Sequence, residues 1–356
     1  MINGRKYSCC ILSMTLLILS LIASFNYWQD PANLFLSERQ YKEFSEALTE
    51  GHILAVRGNY DERMFKKSEI VAKRRIGCDI IVLGSSRVMG FSKENLGDNL
   101  NVENLGVSGA VLQDDVSMWY IHQKVNEDST VKTVVIEAAP WIFNTNNEEH
   151  RWKVLTDDYI DGMKFIGKPV DVHRDYEKYF QLVSKKYTQL SYEQWREKKK
   201  ICPFLICDDS DEIMDEWYVI CQDGSWRWPK KLYQMNSQAM AENFVKGKVY
   251  HVEGYEELDK DLQNNFSLFI KHLQEQKIKV VLYFPPYHPY VYNFLKDNPR
   301  YSKVFEAELW FKNFALTHNI EVIGSYNPAD MGLNEYDFLD GGHVKRESFI
   351  KFARFL

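Results

Sequence analysis

Residues 79–87 read DIIVLGSSR. The run from Ile80 to Leu83 is short, apolar and rich in β-branched side chains, the pattern of a strand buried on both faces. It stops on Gly84, Ser85, Ser86 and Arg87. Gly and Ser are ordinary turn residues. In an open α/β sheet, however, the carboxyl end of a strand is also where ligands bind. A hydroxyl at that point is placed either to make a turn or to act as a nucleophile, and the rest of the chain has to decide between the two.

Outward from residue 79 the pattern alternates between strands and helices. NVENLGVSG holds a second short strand ending near Gly106, and residues 110–126 carry apolar side chains at helical spacing. KTVVIEAAP is a third strand, stopped by Pro140, and KIKVVLYFPP a fourth, stopped by Pro285. FEAELWFKNFALTHN reads as a helix, IEVIGSY as a fifth strand, and KRESFIKFARFL as a closing helix. This alternation predicts an α/β domain with a parallel sheet covered on both faces, built from residues 79–144 and 251–356. Between them, residues 145–250 lose the alternation and are rich in Trp, Tyr and Lys. That stretch is too long for a plain connection and reads as an inserted, mainly helical cap. Its aromatics either form the cap's own core or, at DGSWRW (223–228), line a carbohydrate groove.

The chain has 356 residues, 45% apolar and 26% charged, which is a globular composition. A net charge of −6 leaves no global basic field for nucleic acid. The amino terminus differs from the body. After Arg5 and Lys6 comes a nearly uncharged stretch, 9–25, of roughly 17–18 residues, at the short end for crossing a bilayer core. Tyr27 and Trp28 follow, where an interfacial anchor would sit. The stretch lacks a convincing small-x-small cleavage site. Residues 1–30 are therefore expected to be an uncleaved transmembrane signal anchor, with the basic end in the cytoplasm and the body outside the membrane.

Residues 31–78 read as a juxtamembrane segment, mostly helical over 36–76. Its basic run RMFKKSEIVAKRR (63–75) is expected to be a solvated helix face, with contact to anionic headgroups as the alternative. Cys202, Cys207 and Cys221 lie close enough in sequence for one disulfide in an oxidising compartment. No metal site is expected, because paired C-x-x-C spacing is missing, and nothing points to a cofactor.

A serine needs a base, a group to orient the base, and donors for the developing oxyanion. His343, in YDFLDGGHVKRESF, follows Asp340 by three residues across two glycines that let the backbone turn tightly. Asp340 and His343 would supply the acid and the base of an Asp-His-Ser system. His288, in YFPPYHPYVY, falls at the end of the fourth strand. It would bind substrate, replace His343 as base, or simply sit in a rigid Pro-rich loop. Arg87 would hold an anionic group near Ser86 or pair with an acid to brace the turn. GSSRVMG lacks both G-x-G-x-x-G and the phosphate-loop lysine, so nucleotide binding ranks low.

Taken in order, GSS at 84–86, a glycine after the second strand and DGGH at 340–343 resemble the SGNH (GDSL-type) hydrolase superfamily. The resemblance implies a three-layer α/β/α fold, flavodoxin-like, with Ser86 as nucleophile and Ser85 as the fallback. It makes the N–H of Gly106 an oxyanion donor. Where the family has G-x-N-D this chain has EAAPWIFN, and Asn144 is the nearest substitute. Within the superfamily the chain is most similar to the membrane-anchored, DltD-like branch that acylates teichoic acids or exopolysaccharides. That likeness implies acyl transfer to, or removal from, a cell-envelope polymer, beside a membrane-bound O-acyltransferase. The competing expectation is a non-catalytic envelope protein that keeps the fold and binds a glycan or a membrane partner.

Overall fold

The computed structural model describes residues 4–353, apart from 36–37, 75, 98, 127–129, 175, 199–201 and 209–212. Arg75 of the basic run and the last three residues of the closing helix lie outside the described residues. The described strands, in chain order, are β1 (Ile53–Val56), β2 (Ile80–Leu83), β3 (Val102–Asn104), β4 (Thr133–Glu137), β5 (Phe204–Cys207), β6 (Tyr218–Ile220), β7 (Trp226–Arg227), β8 (Lys279–Phe284) and β9 (Glu321–Gly324).

The protein is a mixed α/β structure. Its main sheet has five parallel strands in the order β3-β2-β4-β8-β9. These are the five strands expected from the sequence. Successive side chains along a strand point to opposite faces, and both faces here are buried. Ile81, Leu83, Val134, Ile136, Leu282 and Phe284 enter one core, with Trp119, Phe266 and Phe311 from the helices Leu112–Val125, Lys260–Glu275 and Ser302–Thr317. Ile80, Val82, Val135, Val281, Tyr283 and Ile323 enter a second core, closed by Val88, Phe91 and the chain from Phe338 to Phe352. The chain order runs from β2 outward to β3 and then crosses to β4 on the other side of β2. The strand order therefore reverses at the carboxyl end of β2, the position that leaves a crevice in open sheets.

Strands β5, β6 and β7 join β1 in a second, antiparallel sheet ordered β5-β1-β6-β7. Residues 145–250 thus combine strands with helices such as Thr156–Phe165 and Lys185–Glu197, and are less purely helical than expected. Residues 36–76 contain two helices, Glu38–Thr49 and Glu62–Ala72, with β1 between them, so that segment is not helical throughout. The antiparallel sheet unites the two stretches through a core of Leu54, Phe65, Phe204, Ile220, Trp226 and Trp228.

Within the basic run Arg74 is exposed, but Arg63, Lys66 and Lys73 are buried and form no solvated face. Arg63 is buried and donates from Nε and Nη2 to Asp114 at 2.7 and 2.9 Å. Lys66 is buried on Glu69 (2.9 Å) and on the carbonyls of Asn104 (2.8 Å) and Gly224 (2.9 Å). Glu69 also takes Lys73 at 2.5 Å. These cations turn inward because the helix Glu62–Ala72 lies between the two sheets, where acids and strand-end carbonyls satisfy them. Six cysteines are free, so Cys202, Cys207 and Cys221 form no disulfide.

Helix Gly4–Gln29 contains a segment, Tyr7–Gln29, with a mean hydropathy of 2.2 and none of its apolar window buried. It is long and apolar enough to cross a membrane.

Candidate active site

The turn after β2 separates the two serines. Gly84 has φ +141°, a conformation that disfavours any side chain, and a Cβ there would stand 2.4 Å from Glu137 Cβ. Ser85 is 1% exposed, and its Oγ accepts the N–H of Arg87 at 3.2 Å. Its hydroxyl serves the turn. Ser86 opens a short 3₁₀ turn, Ser86–Val88, and is only partly buried.

Asp340 and His343 sit at the tip of a tight hairpin. Phe338 and Val344 pair across it, and Leu339 N–H bonds to His343 O at 2.9 Å. Asp340 Oδ1 accepts the N–H groups of Gly342 (2.8 Å) and His343 (2.9 Å). Gly341 leaves room for Phe244, since a Cβ would stand 2.4 Å from the Phe244 ring. From this tip, His343 Nδ1 lies 2.8 Å from Asp340 Oδ2, and His343 Nε2 lies 2.8 Å from Ser86 Oγ. With the Nδ1 proton held by the carboxylate, Nε2 presents its lone pair to the serine hydroxyl. Burial disfavours the Asp340 carboxylate, but the imidazole and the two backbone N–H groups outweigh it and hold its pKa at about 2. Burial likewise opposes the charged His343, and the charge and hydrogen bond of Asp340 outweigh it, so its pKa is raised above 6.5.

Arg87 braces the turn. Its Nε donates to Glu137 Oε1 at 2.9 Å, and Nη2 lies 2.8 Å from the same oxygen without a hydrogen-bond angle. Its guanidinium carbon lies 4.5 Å from the Trp141 ring centroid and 5.1 Å from that of Tyr287. Both partners of the ion pair are buried, Arg87 at 5% and Glu137 at 1% exposure. Glu137 Oε2 also accepts the N–H of Ser85. Sequence reasoning missed Glu137, although an acid closing the apolar strand TVVIE was the available signal. Arg87→Met leaves this carboxylate buried without its cation and is expected to cost about 3–5 kcal/mol of stability, read from the denaturant midpoint of the detergent-solubilised protein.

Of three further candidates, Gly106 and Asn144 are engaged otherwise than expected, and His288 takes the loop role among its alternatives. The N–H of Gly106 donates to Asn104 Oδ1 at 3.0 Å, so it is engaged and not free for an oxyanion. Asn104 also donates to the carbonyls of Val88 (2.8 Å) and Phe91 (2.9 Å), and ties the end of β3 to the turn that carries Ser86. Gly106 still packs on that turn, for a Cβ would stand 3.2 Å from Ser85 O. Asn144 is buried and donates to the carbonyls of His251 (3.0 Å) and Glu253 (3.1 Å), so its amide clamps a loop. His288 is fully buried, and its Nδ1 accepts the N–H of Tyr290 at 3.1 Å to cap the helix Pro289–Lys296. Burial lowers its pKa. It is a capping residue in a packed loop. Among the described residues, no group accepts the N–H of Ser86, which leaves a backbone donor beside the nucleophile.

DGSWRW supplies a wall and not an open sugar platform. Trp226 and Trp228 are 7% and 9% exposed, and the Trp228 ring stands 5.6 Å from the His343 ring, edge to face. Trp228 also lines an open cleft of about 510 Å³ with Glu94, Arg227, Tyr233 and Arg346.

Among the described residues, one group of ligand-type side chains converges: Cys78, Glu103 and His122, all buried, with ligand atoms within 4.8 Å of one another. Cys78 precedes β2 whereas Ser86 follows it, so this group stands at the opposite edge of the sheet. Burial raises Glu103 to about 7, lowers His122 to about 4 and pushes the Cys78 thiol up. Lys73 lies close enough to act on Glu103. No protein-family model matches the sequence, and no curated protein is significantly similar to it.

Proposed function

We propose that the protein is a serine-dependent acyltransferase or acylesterase of the SGNH type, working outside the cytoplasm on a cell-envelope polysaccharide or teichoic-acid-like polymer. The observation that carries this reading is the continuous relay from Ser86 Oγ through His343 to Asp340, with both links at 2.8 Å. The parallel sheet with both faces covered and the position of Ser86 at the strand-order reversal support a three-layer α/β/α domain of this kind. Residues 145–250 would then be its cap. The amino-terminal helix is long and apolar enough to anchor the protein; in this reading the body lies on the outer side, beside a membrane-bound O-acyltransferase that delivers the acyl group.

In the proposed reaction His343 Nε2 takes the proton of Ser86 Oγ as that oxygen attacks an acyl carbonyl. Asp340 holds the imidazole in the accepting tautomer and stabilises its positive charge. The oxyanion forms against the Ser86 N–H. Collapse expels the donor alcohol, which takes the proton from His343, and leaves an acyl ester on Ser86. A sugar or polyol hydroxyl, or water, then attacks that ester by the same route in reverse. Each missing oxyanion donor costs about 100- to 1,000-fold in rate, so turnover of a simple ester is expected to be slow.

Hydrolysis of p-nitrophenyl acetate by the full chain in detergent tests this reading. Only neutral His343 accepts a proton, and its pKa is raised, so kcat/KM should be low in acid. It should rise with pH through an inflection above 6.5. Turnover no faster than that of Ser86→Ala across the whole pH range would instead favour a non-catalytic envelope protein. The engaged Gly106 N–H and Asn144 amide are the observations on that side.

A further inference from the structure

The end of the apolar helix is built into the body of the protein. Asn26 is fully buried and donates from Nδ2 to Leu182 O and to Thr188 Oγ1, both at 2.8 Å. Gln194 Nε2 donates to Gln29 O at 2.6 Å. Tyr187 OH donates to Asp30 Oδ1 at 2.6 Å, and the same carboxylate accepts the N–H groups of Leu34 and Phe35. A loose tether would leave these polar groups in water. Buried and paired, they make the last turn of the helix one rigid piece with the segment 182–194.

That segment carries an unusual surface. Tyr27 and Trp28 on the helix, and Tyr179, Phe180, Tyr192 and Trp195 beside it, are each 50–70% exposed. Phe35 links the two sets, with ring centroids 5.5 Å from Tyr27 and 5.9 Å from Tyr179. Interleaved with the aromatics are exposed Lys178, Lys185, Lys186, Arg196 and Lys198. Large aromatics exposed next to basic side chains are costly in water. They match the headgroup zone of a bilayer, where amphipathic rings settle and long cations reach lipid phosphates.

We propose that residues 176–198 form a collar seated in the interfacial layer of the same bilayer that the amino-terminal helix crosses. The collar holds the body at a fixed height and tilt, so that Ser86 keeps a constant relation to the membrane surface. The proposal rests on the reading of residues 7–29 as a membrane span. The collar is continuous with that span, and its mixture of rings and cations is the chemistry of a lipid surface.

The test uses the full chain reconstituted in vesicles of phosphatidylcholine and phosphatidylglycerol. An environment-sensitive fluorescent amino acid replaces Phe180, Leu16 or Leu316, the last being 84% exposed on the body. Lipids bearing a quencher near the headgroup should quench the probe at 180 several-fold more than the probe at 316. A quencher deep in the chains should act most strongly at 16. Equal, weak quenching at 180 and 316 with strong quenching at 16 would overturn the collar and leave the span standing. Absence of quenching at 16 would overturn both. A probe at 180 that is blue-shifted but not quenched would show that protein, such as a second copy, covers the face, and would also overturn the collar.

Discussion

Ser86→Ala is expected to lower esterase turnover by at least about 10³-fold, leaving a residue set by binding alone. The hydroxyl and its base act as a unit, so removing the nucleophile also idles His343 and Asp340. The fold should survive, because Ser86 is only partly buried and its described side-chain hydrogen bond is to His343. Ser85→Ala is the control. The Ser85 hydroxyl is buried against the N–H of Arg87, so its loss should lower stability by about 1 kcal/mol and leave most turnover in place. The opposite pattern, with turnover lost at position 85 and kept at 86, would show that the turn presents the other hydroxyl. Ester hydrolysis and thermal unfolding of the two variants, measured side by side, distinguish these cases.

Asp340→Asn is the second large effect, at roughly 10³- to 10⁴-fold in kcat. The replacement is close in size, and the hairpin tip should keep its shape. An amide at position 340 donates a hydrogen bond to His343 Nδ1, which drives the ring proton to Nε2. That atom then faces Ser86 Oγ as a donor and cannot accept its proton. The carboxylate that raises the His343 pKa is also gone, so the acid limb of the residual activity should move to lower pH than in the parent protein. A variant with unchanged kcat and an unmoved acid limb would remove Asp340 from the mechanism.

Much of this was legible in the sequence, for identifiable reasons. The central strands β2, β4 and β8 are nearly continuous apolar runs followed closely by Gly or Pro, which is how a strand buried on both faces reads. Asp340 and His343 were legible because their geometry is local: three residues, two glycines and one hairpin tip. The expectation that they meet Ser86 came from the order of motifs along the chain.

What the sequence hid was nonlocal. β1 is four apolar residues, ILAV, and a run that short does not separate strand from helix by periodicity. Its partners lie about 150 residues away in β5 and β6. Arg63 and Lys66 looked solvated until the acids and carbonyls that bury them were brought alongside. Gly106 and Asn144 are of the right residue types for oxyanion donors, but their N–H groups are used by Asn104 and by the carbonyls of His251 and Glu253. Glu137 stood in a block that looked defective because it lacks an asparagine. In the fold it anchors Ser85 and Arg87 from the neighbouring strand.

The relay to His343 and Asp340 implies that Ser86 is an activated nucleophile. Its most direct test is to treat the full-length protein with a fluorophosphonate, digest it and map the adduct by mass spectrometry. The expected result is a single phosphonylated residue, Ser86, with labelling abolished in Ser86→Ala and in His343→Ala. A folded protein that carries no adduct at Ser86, or carries one on Ser85 instead, would contradict it.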